Sequence, residues 1–340
     1  MNFDGEPLRF FPTPYPDEIF YSVLCRHHAR SGNPAFVSTA KETWGKKISV
    51  NLYLPQSLGA VANRIPRGAG LTAHYFAVHN TIYPFLKPLI PKERGQRVLR
   101  LLESDRQEAQ LAYRLSGLES SRSQKWQFFR CCEGCWKEDI RKYGEAYWHR
   151  LHQLPGILVC PVHGTSTRNT TVFLSDTHVK FLLASPALIS NEAVPAYSKG
   201  TAETLALLAE DAAWLLKNGS ALPSSETMFA LLDQLLRLKG YRSLGGGRTK
   251  TPVFHAALLE FYRAETLTAL GIDDKTAVPW SQLIFHRTET CLTHRITLWR
   301  CAFWRDRQRI FTLTSMQRHI PMEKAPGHAG IMSAHTTCKM

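Results

Sequence analysis

The sequence predicts a mainly α-helical chain with a small cysteine-rich module set between two helical regions. Three observations carry this prediction. Apolar residues recur at helical spacing early in the chain, beginning with Ile19, Phe20, Val23 and Leu24, and again beyond residue 200. Two short pairs, Cys132/Cys135 and Cys160/His163, break that pattern in the middle. The 340 residues are 44% hydrophobic and 21% charged, enough apolar material for the cores of two or three domains.

Taken in order, Pro14 and Pro16 punctuate the entry. Pro16 suits a first helical position, with Asp17 and Glu18 favouring the positive end of the helix dipole. Gly32 stops that helix. A second helix is expected over 34–44 and a third from Pro55, with Leu58, Val61, Ala62 and Ile65 on one face. Such short helices make residues 1–118 helix-turn-helix-like. Residues 92–115 again read as helix, and the Ser- and Gly-rich stretch 116–125 as a linker. The aromatic, cysteine-rich segment 126–173 follows. A helical region spans 174–318, interrupted by Gly240 and Gly245–Gly247, and 319–340 reads as a disordered tail without periodicity.

Charge narrows the function classes. Lys plus Arg number 42 and Asp plus Glu 28, a formal charge of +14, so the chain prefers polyanions, with nucleic acid ahead of an anionic membrane surface. No stretch has the roughly 18 apolar residues of a membrane span. Asp4 and Glu6 stand where a signal peptide needs bases. A cytoplasmic, nucleoid-associated location is expected, where the eight cysteines stay reduced and clustered ones are metal candidates.

Cys132-Glu-Gly-Cys135 is followed by twenty-four residues and then by Cys160-Pro-Val-His163. A two-residue gap lets both side chains of a knuckle reach one ion while the backbone turns between them, and Pro161 and Gly164 suit such a turn. Three thiolates and one imidazole fill the four positions of one zinc ion, so Cys132, Cys135, Cys160 and His163 read as a closed, structural site. Cys131 offers a wider alternative spacing and is expected to be a buried neighbour. His149 and His152 are expected to support packing or touch a phosphate. The architecture is therefore an N-terminal helix-turn-helix-like region, a central zinc-ribbon-like finger and a C-terminal helical region.

Several motifs together resemble one family. They are Phe11-Pro12-Thr-Pro14-Tyr15-Pro16-Asp17-Glu18 with Tyr21-Ser22 and Arg26, and Leu54-Pro55-Gln-Ser-Leu58-Gly59. Arg130-Cys-Cys132-Glu-Gly-Cys135-Trp-Lys-Glu-Asp139 follows, then Tyr143-Gly-Glu-Ala-Tyr147-Trp148-His149-Arg150, His152-Gln-Leu-Pro155-Gly156 and Cys160-Pro161-Val-His163-Gly164. This set is similar to the TniQ/TnsD family of transposition target selectors, closely over residues 10–165 and more loosely to about Trp304, including Trp280 and His294. The resemblance implies an adaptor without chemistry of its own. It would bind double-stranded target DNA or join an RNA-guided effector complex, and recruit an AAA+ transposition regulator. It maps the zinc ligands onto the four residues named above. The long TnsD branch continues well beyond 340 residues, so this chain reads as a short TniQ-type member or a truncated selector.

Other constellations fill in the expectation. Seven arginines lie between 286 and 319, and Arg305, Arg307 and Arg309 head the DNA-contact candidates. Trp299, Phe303, Trp304 and Phe311 interleave with them and read as core. Arg242, Arg248 and Lys250 stock a connection between two helices, a second helix-turn-helix candidate whose alternative is a plain helical hairpin. Cys291 and His294, with His286 and Cys301, are spaced too irregularly for a second zinc site. Phe10, Phe11 and Tyr15, on a proline-stiffened entry segment, are partner-docking candidates that lose little entropy on binding; the alternative is that they pin the segment to the protein's own helices. Gly245-Gly-Gly247-Arg-Thr-Lys250 is not a phosphate loop, so nucleotide hydrolysis belongs to a partner. A metal-dependent nuclease is the rival from another class, resting only on scattered carboxylates such as Asp139, Asp176 and Asp211.

Overall fold

The computed structural model describes residues 7–46, 48, 50–66, 68–105, 109–118, 127–243 and 250–272. In chain order the helices are α1 (Phe20–Ser31), α2 (Phe36–Trp44), α3 (Leu58–Ala62), α4 (Ala73–His79), α5 (Tyr83–Leu86), α6 (Lys92–Glu103) and α7 (Ala109–Leu115). Then come β1 (Phe128–Cys131), α8 (Glu133–Tyr143), α9 (Arg150–Gln153), β2 (Arg168–Phe173), α10 (Lys199–Asn218), α11 (Ser225–Leu238) and α12 (Thr251–Ala269). The expected mainly helical architecture with a small cysteine module is what the chain adopts. Part of the 116–125 linker, Gly245–Gly247, Arg248, Trp280, the cysteine and histidine group at 286–301, Arg305, Arg307, Arg309 and the 319–340 tail lie outside the described residues.

α1 is the hub. Every residue from Phe20 to His27 is buried, polar ones included, because the helix is enclosed on all sides. Phe20 meets Phe76 edge-on at 5.0 Å and Trp44 at 6.3 Å. Tyr21 lies 5.3 Å from Phe129 of β1. Gly32 ends the helix in the left-handed conformation, φ 72°, as the sequence predicts.

The start of α1 corrects the sequence reading. The helix begins at Phe20, not at Pro16. Asp17 sits at φ 56°, and Glu18 N–H donates to Tyr15 C=O at 3.1 Å, so Pro16-Asp17 forms a turn ahead of the helix. The Asp17 carboxylate bonds to Arg150 and Leu151 of α9, and that of Glu18 to Tyr15 N–H and to the side chains of Ser22 and Arg26 on α1. The third helix likewise starts at Leu58 rather than Pro55, since Ser57 at φ 55° cannot continue a right-handed helix. The 92–115 stretch divides into α6 and α7, with Ser104 extended at the end of α6.

β1 and β2 form an antiparallel pair in which Arg130 faces Asn169 and Cys131 faces Arg168, with an irregularity between Phe128 and Arg130. β1 packs against α9 and meets α1 through Phe129 and Tyr21, while α10 packs on α5 and α12. Glu265 of α12 accepts from Ser198 N–H at 3.0 Å and from the Thr201 hydroxyl at 2.8 Å, joining α12 to the start of α10. Lys87, after α5, donates to Ser220 C=O at 2.9 Å and to Leu222 C=O, fastening the turn after α10 to the N-terminal helices. Among the described residues no helix is long and apolar enough to cross a membrane.

Candidate metal centre

The first knuckle is the junction of β1 and α8. Cys132 is extended, φ −111° and ψ 125°, and caps α8, while Cys135 falls in the first helical turn. The second knuckle is a tight hairpin. Cys160 N–H donates to Thr165 C=O and Gly164 N–H donates to Cys160 C=O, both at 2.8 Å. This brings His163 back over the cysteines.

Cys132, Cys135, Cys160 and His163 converge with all four ligand atoms within 4.8 Å of one another. Cys135 Sγ and Cys160 Sγ are 3.6 Å apart. His163 Nδ1 stands 3.6, 3.4 and 3.7 Å from the sulfurs of Cys132, Cys135 and Cys160. Metal–ligand bonds of about 2.3 Å to sulfur and about 2.0 Å to nitrogen in a tetrahedron require edges of roughly 3.8 Å and 3.6 Å. The donor set and spacing therefore fit one tetrahedral ion. It is the single such group of His, Cys or carboxylate donors among the described residues.

Neighbouring groups fix the ligands. Glu138 Oε1 lies 3.4 Å from His163 Nε2, which leaves Nδ1 as the metal-facing nitrogen. His152, fully enclosed, brings Nε2 to 3.9 Å from Cys135 Sγ; burial lowers its pKa to about 3, so the ring is neutral. Gly134 has a steric reason: a Cβ there would stand 2.4 Å from His163 Cδ2. Cys131 is buried on β1 outside the cluster, and burial pushes its thiol up to about 12. His149 supports packing, as one of its two expected roles had it: Nε2 lies 2.8 Å from Asp139 Oδ2 and its ring stacks on Tyr147 at 4.3 Å.

Around the knuckles runs a frame of buried side-chain to backbone bonds. The Gln153 amide accepts from Arg130 N–H at 3.1 Å and donates to Arg130 C=O at 2.9 Å, acting as a strand partner for β1. Trp136 Nε1 donates to Tyr147 C=O and Trp148 Nε1 to Leu182 C=O. The entry motif is clasped onto this frame. Arg150 donates to Asp17 Oδ1 at 3.0 Å and Leu151 N–H to Asp17 Oδ2 at 3.1 Å. Ile19 N–H donates to Trp148 C=O at 3.0 Å, and Trp148 N–H to Ser22 Oγ at 3.1 Å.

Within the clasp lies a charge network that sequence reasoning missed. Glu18, fully buried, accepts from Tyr15 N–H, Ser22 Oγ–H and Arg26. Arg26 also donates to Glu145 at 2.8 Å and to Thr13 C=O at 3.1 Å, and Arg30 reaches Glu145 at 2.7 Å. Burial outweighs these partners at Glu18, raising its pKa to about 6. Glu145 is less buried, and its hydrogen bonds to Arg30, Tyr15 and Arg26 hold it below the ordinary carboxylate value against its desolvation. Glu18, Arg26 and Glu145 all lie in the motifs that carried the resemblance, which was their one sequence signal.

The remaining sequence candidates are placed as follows. Tyr15 stacks on Tyr143 at 4.2 Å, donates to Glu145 at 2.9 Å and has the Arg26 guanidinium 3.6 Å from its ring centre. Phe10 lies 5.0 Å from the His27 ring, and Phe11 lies 5.3 Å from His27 and 5.8 Å from Phe76. All three aromatics are half-buried. Arg242 pairs with Asp233, and Lys250 is exposed at the start of α12.

Comparison with known proteins covers this same part of the chain. The TniQ family model matches residues 9–166. Over 158 residues the chain is 31% identical to the transposon Tn7 transposition protein TnsD of Escherichia coli, a match that takes in 46% of this chain and 31% of that relative. The chain thus aligns with less than a third of the relative's length. Its boundaries enclose both the entry motif and both knuckles, the parts that the clasp joins into one body: residues 9–166 of this chain are a TniQ domain.

Proposed function

We propose that this protein is a target-site adaptor in DNA transposition: it binds double-stranded DNA, recruits an AAA+ transposition regulator, and performs no chemistry of its own. The observation that carries this reading is the TniQ domain, intact in both motifs and in its metal centre. Its ion is one structural zinc, held by Cys132, Cys135, Cys160 and His163. The donor set is closed by its own chemistry, since three sulfurs and one nitrogen use all four tetrahedral positions. The centre fixes the turn that carries Tyr143 to Arg150, and these residues fix the entry segment.

DNA attraction comes from the net charge of +14, with Arg242, Arg248, Lys250, Arg305, Arg307 and Arg309 as phosphate contacts. The half-exposed rings of Phe10, Phe11 and Tyr15 contribute to partner contact. Asp139, one of the scattered carboxylates on which the nuclease reading rests, is already held by His149.

The test is a binding assay of the purified chain with random and chromosomal duplexes, with and without the regulator ATPase, across salt. We expect affinity to fall steeply with salt, and Arg305, Arg307 and Arg309 reversed together to weaken all duplexes alike. Salt-independent binding, no ternary complex with the ATPase, or magnesium-dependent cleavage of plasmid would overturn the reading.

A further inference from the structure

A cavity of about 620 Å3 opens between α8, α9, the second knuckle and α10, within the roughly 300–1,000 Å3 range of pockets that bury a ligand. Cys135 and Cys160 of the metal centre and Asp17 and Arg150 of the clasp form part of its wall, but one ion fills only a small part of its volume. Its walls include Tyr143, Tyr147, Leu151, Val162 and Leu216, and Val162 is 71% exposed. Its charges are unequally spent. Asp17 is held by Arg150 and Asp139 by His149. Lys142, at the end of α8, and Lys217, at the end of α10, are exposed, line the cavity and form no ion pair among the described residues.

One buried polar atom is also unspent. His152 lines the cavity and is 2% exposed, yet its Nδ1 has no hydrogen-bond partner among the described residues. Nε2 is turned to Cys135 Sγ at 3.9 Å, so Nδ1 is the ring nitrogen left without a partner. A buried polar atom left unpaired is costly unless something bound satisfies it.

We propose that this cavity receives one anchor side chain of a protein partner: a tryptophan or tyrosine, flanked in its own chain by a carboxylate. The ring fills the apolar walls, its N–H or O–H supplies the hydrogen-bond partner that His152 Nδ1 lacks, and the carboxylate meets Lys142 and Lys217. A protein anchor fits better than an extruded nucleobase, because the stacking partners of Tyr143 and Tyr147 are already Tyr15 and His149. The proposal rests on the adaptor reading and gives the regulator a second point of attachment beside the entry segment.

The probe is the peptide acetyl-Gly-Asp-Trp-Glu-Gly-amide, titrated into the full zinc-loaded chain while the methyl resonances of Leu151, Val162 and Leu216 are followed by NMR. We expect saturable shifts, weakened about tenfold or more when the peptide's tryptophan is replaced by alanine. Ala213→Trp, which fills the cavity from α10, should abolish them. Lys142→Glu with Lys217→Glu, both on the surface, should weaken them several-fold while zinc content and melting temperature hold. Absence of saturation, equal shifts with the alanine peptide, or indifference to the double charge reversal overturns the proposal. Tighter binding of a thymidine pentanucleotide at the same methyls assigns the cavity to a base and overturns it as well. Recruitment of the ATPase separates the two readings. If Ala213→Trp recruits it like wild type, the anchor pocket falls and the adaptor stands. If wild type recruits none while the peptide binds, the adaptor falls and the pocket stands.

Discussion

The TniQ domain and the α10–α12 helices both have apolar cores, but they differ in the long-range directional bonds that join their parts. In the first, α1 and the knuckle segment meet through directional bonds between residues more than a hundred apart in sequence, such as Arg26 with Glu145 and Arg150 with Asp17. In the second, α10 buries Leu205, Leu208, Ala209, Ala212 and Leu216 against neighbouring helices. Directional bonds demand particular atoms at particular places, so they leave specific motifs in the sequence. Apolar packing accepts many residues of suitable volume and leaves only a period.

The largest effect should follow metal loss. Cys135→Ser removes one of four donors, and because metal binding here is folding energy, about 10 kcal/mol of affinity is at risk. We expect zinc analysis to fall below one ion per chain and the near-ultraviolet signal of Trp136 and Trp148 to disappear, while far-ultraviolet helicity from α10–α12 persists. Loss of all helicity together would show that the two regions fold as one.

Arg26→Met attacks the clasp without touching the metal. It strands the buried Glu18 carboxylate and removes one partner of Glu145, which should cost about 3–5 kcal/mol in urea unfolding. A loss under 1 kcal/mol would mean that apolar contacts, not the ion network, seat α1. The matching lesion in the other region is Leu205→Ala. Leu205 is fully buried, so cavity formation should cost about 2–5 kcal/mol with zinc content unchanged. If Leu205→Ala also sheds zinc, the contrast between the regions fails.

The smallest effect is a pH term. Glu18 has a folded pKa of about 6 against an ordinary 4.5, so between these values the folded chain holds a proton that the unfolded chain has released. Its contribution to stability is therefore present below pH 4.5 and declines as pH rises to about 6, by about 2 kcal/mol. Glu145, whose pKa is lowered, acts the other way and loses its contribution as pH falls. Comparing wild type with Glu18→Gln by urea titration at pH 4.5, 5.5 and 6.5 isolates the term: the decline should be absent from the variant. An identical pH slope in both proteins would place the effect elsewhere.

Much of the metal site was legible in the sequence. Two x2 spacings name the four donors because a knuckle is a local structure, and the same locality let Gly32 mark the end of α1. The helix starts were less legible. Asp17 and Glu18 have the composition of a first helical turn, yet Arg150, distant in sequence, takes the Asp17 carboxylate, and Arg26, farther along α1, takes that of Glu18.

By itself, the sequence determined the helical class, the four candidate metal donors and the motifs of the TniQ domain, since each depends on residues close together along the chain. The tertiary structure alone decided that Arg26 reaches Glu145, that the half-buried Tyr15 ring stacks on Tyr143, and that a cavity lies between α8 and α10. Those features arise from pairs far apart in sequence. Which of many possible partners a side chain meets is fixed only when the whole core packs.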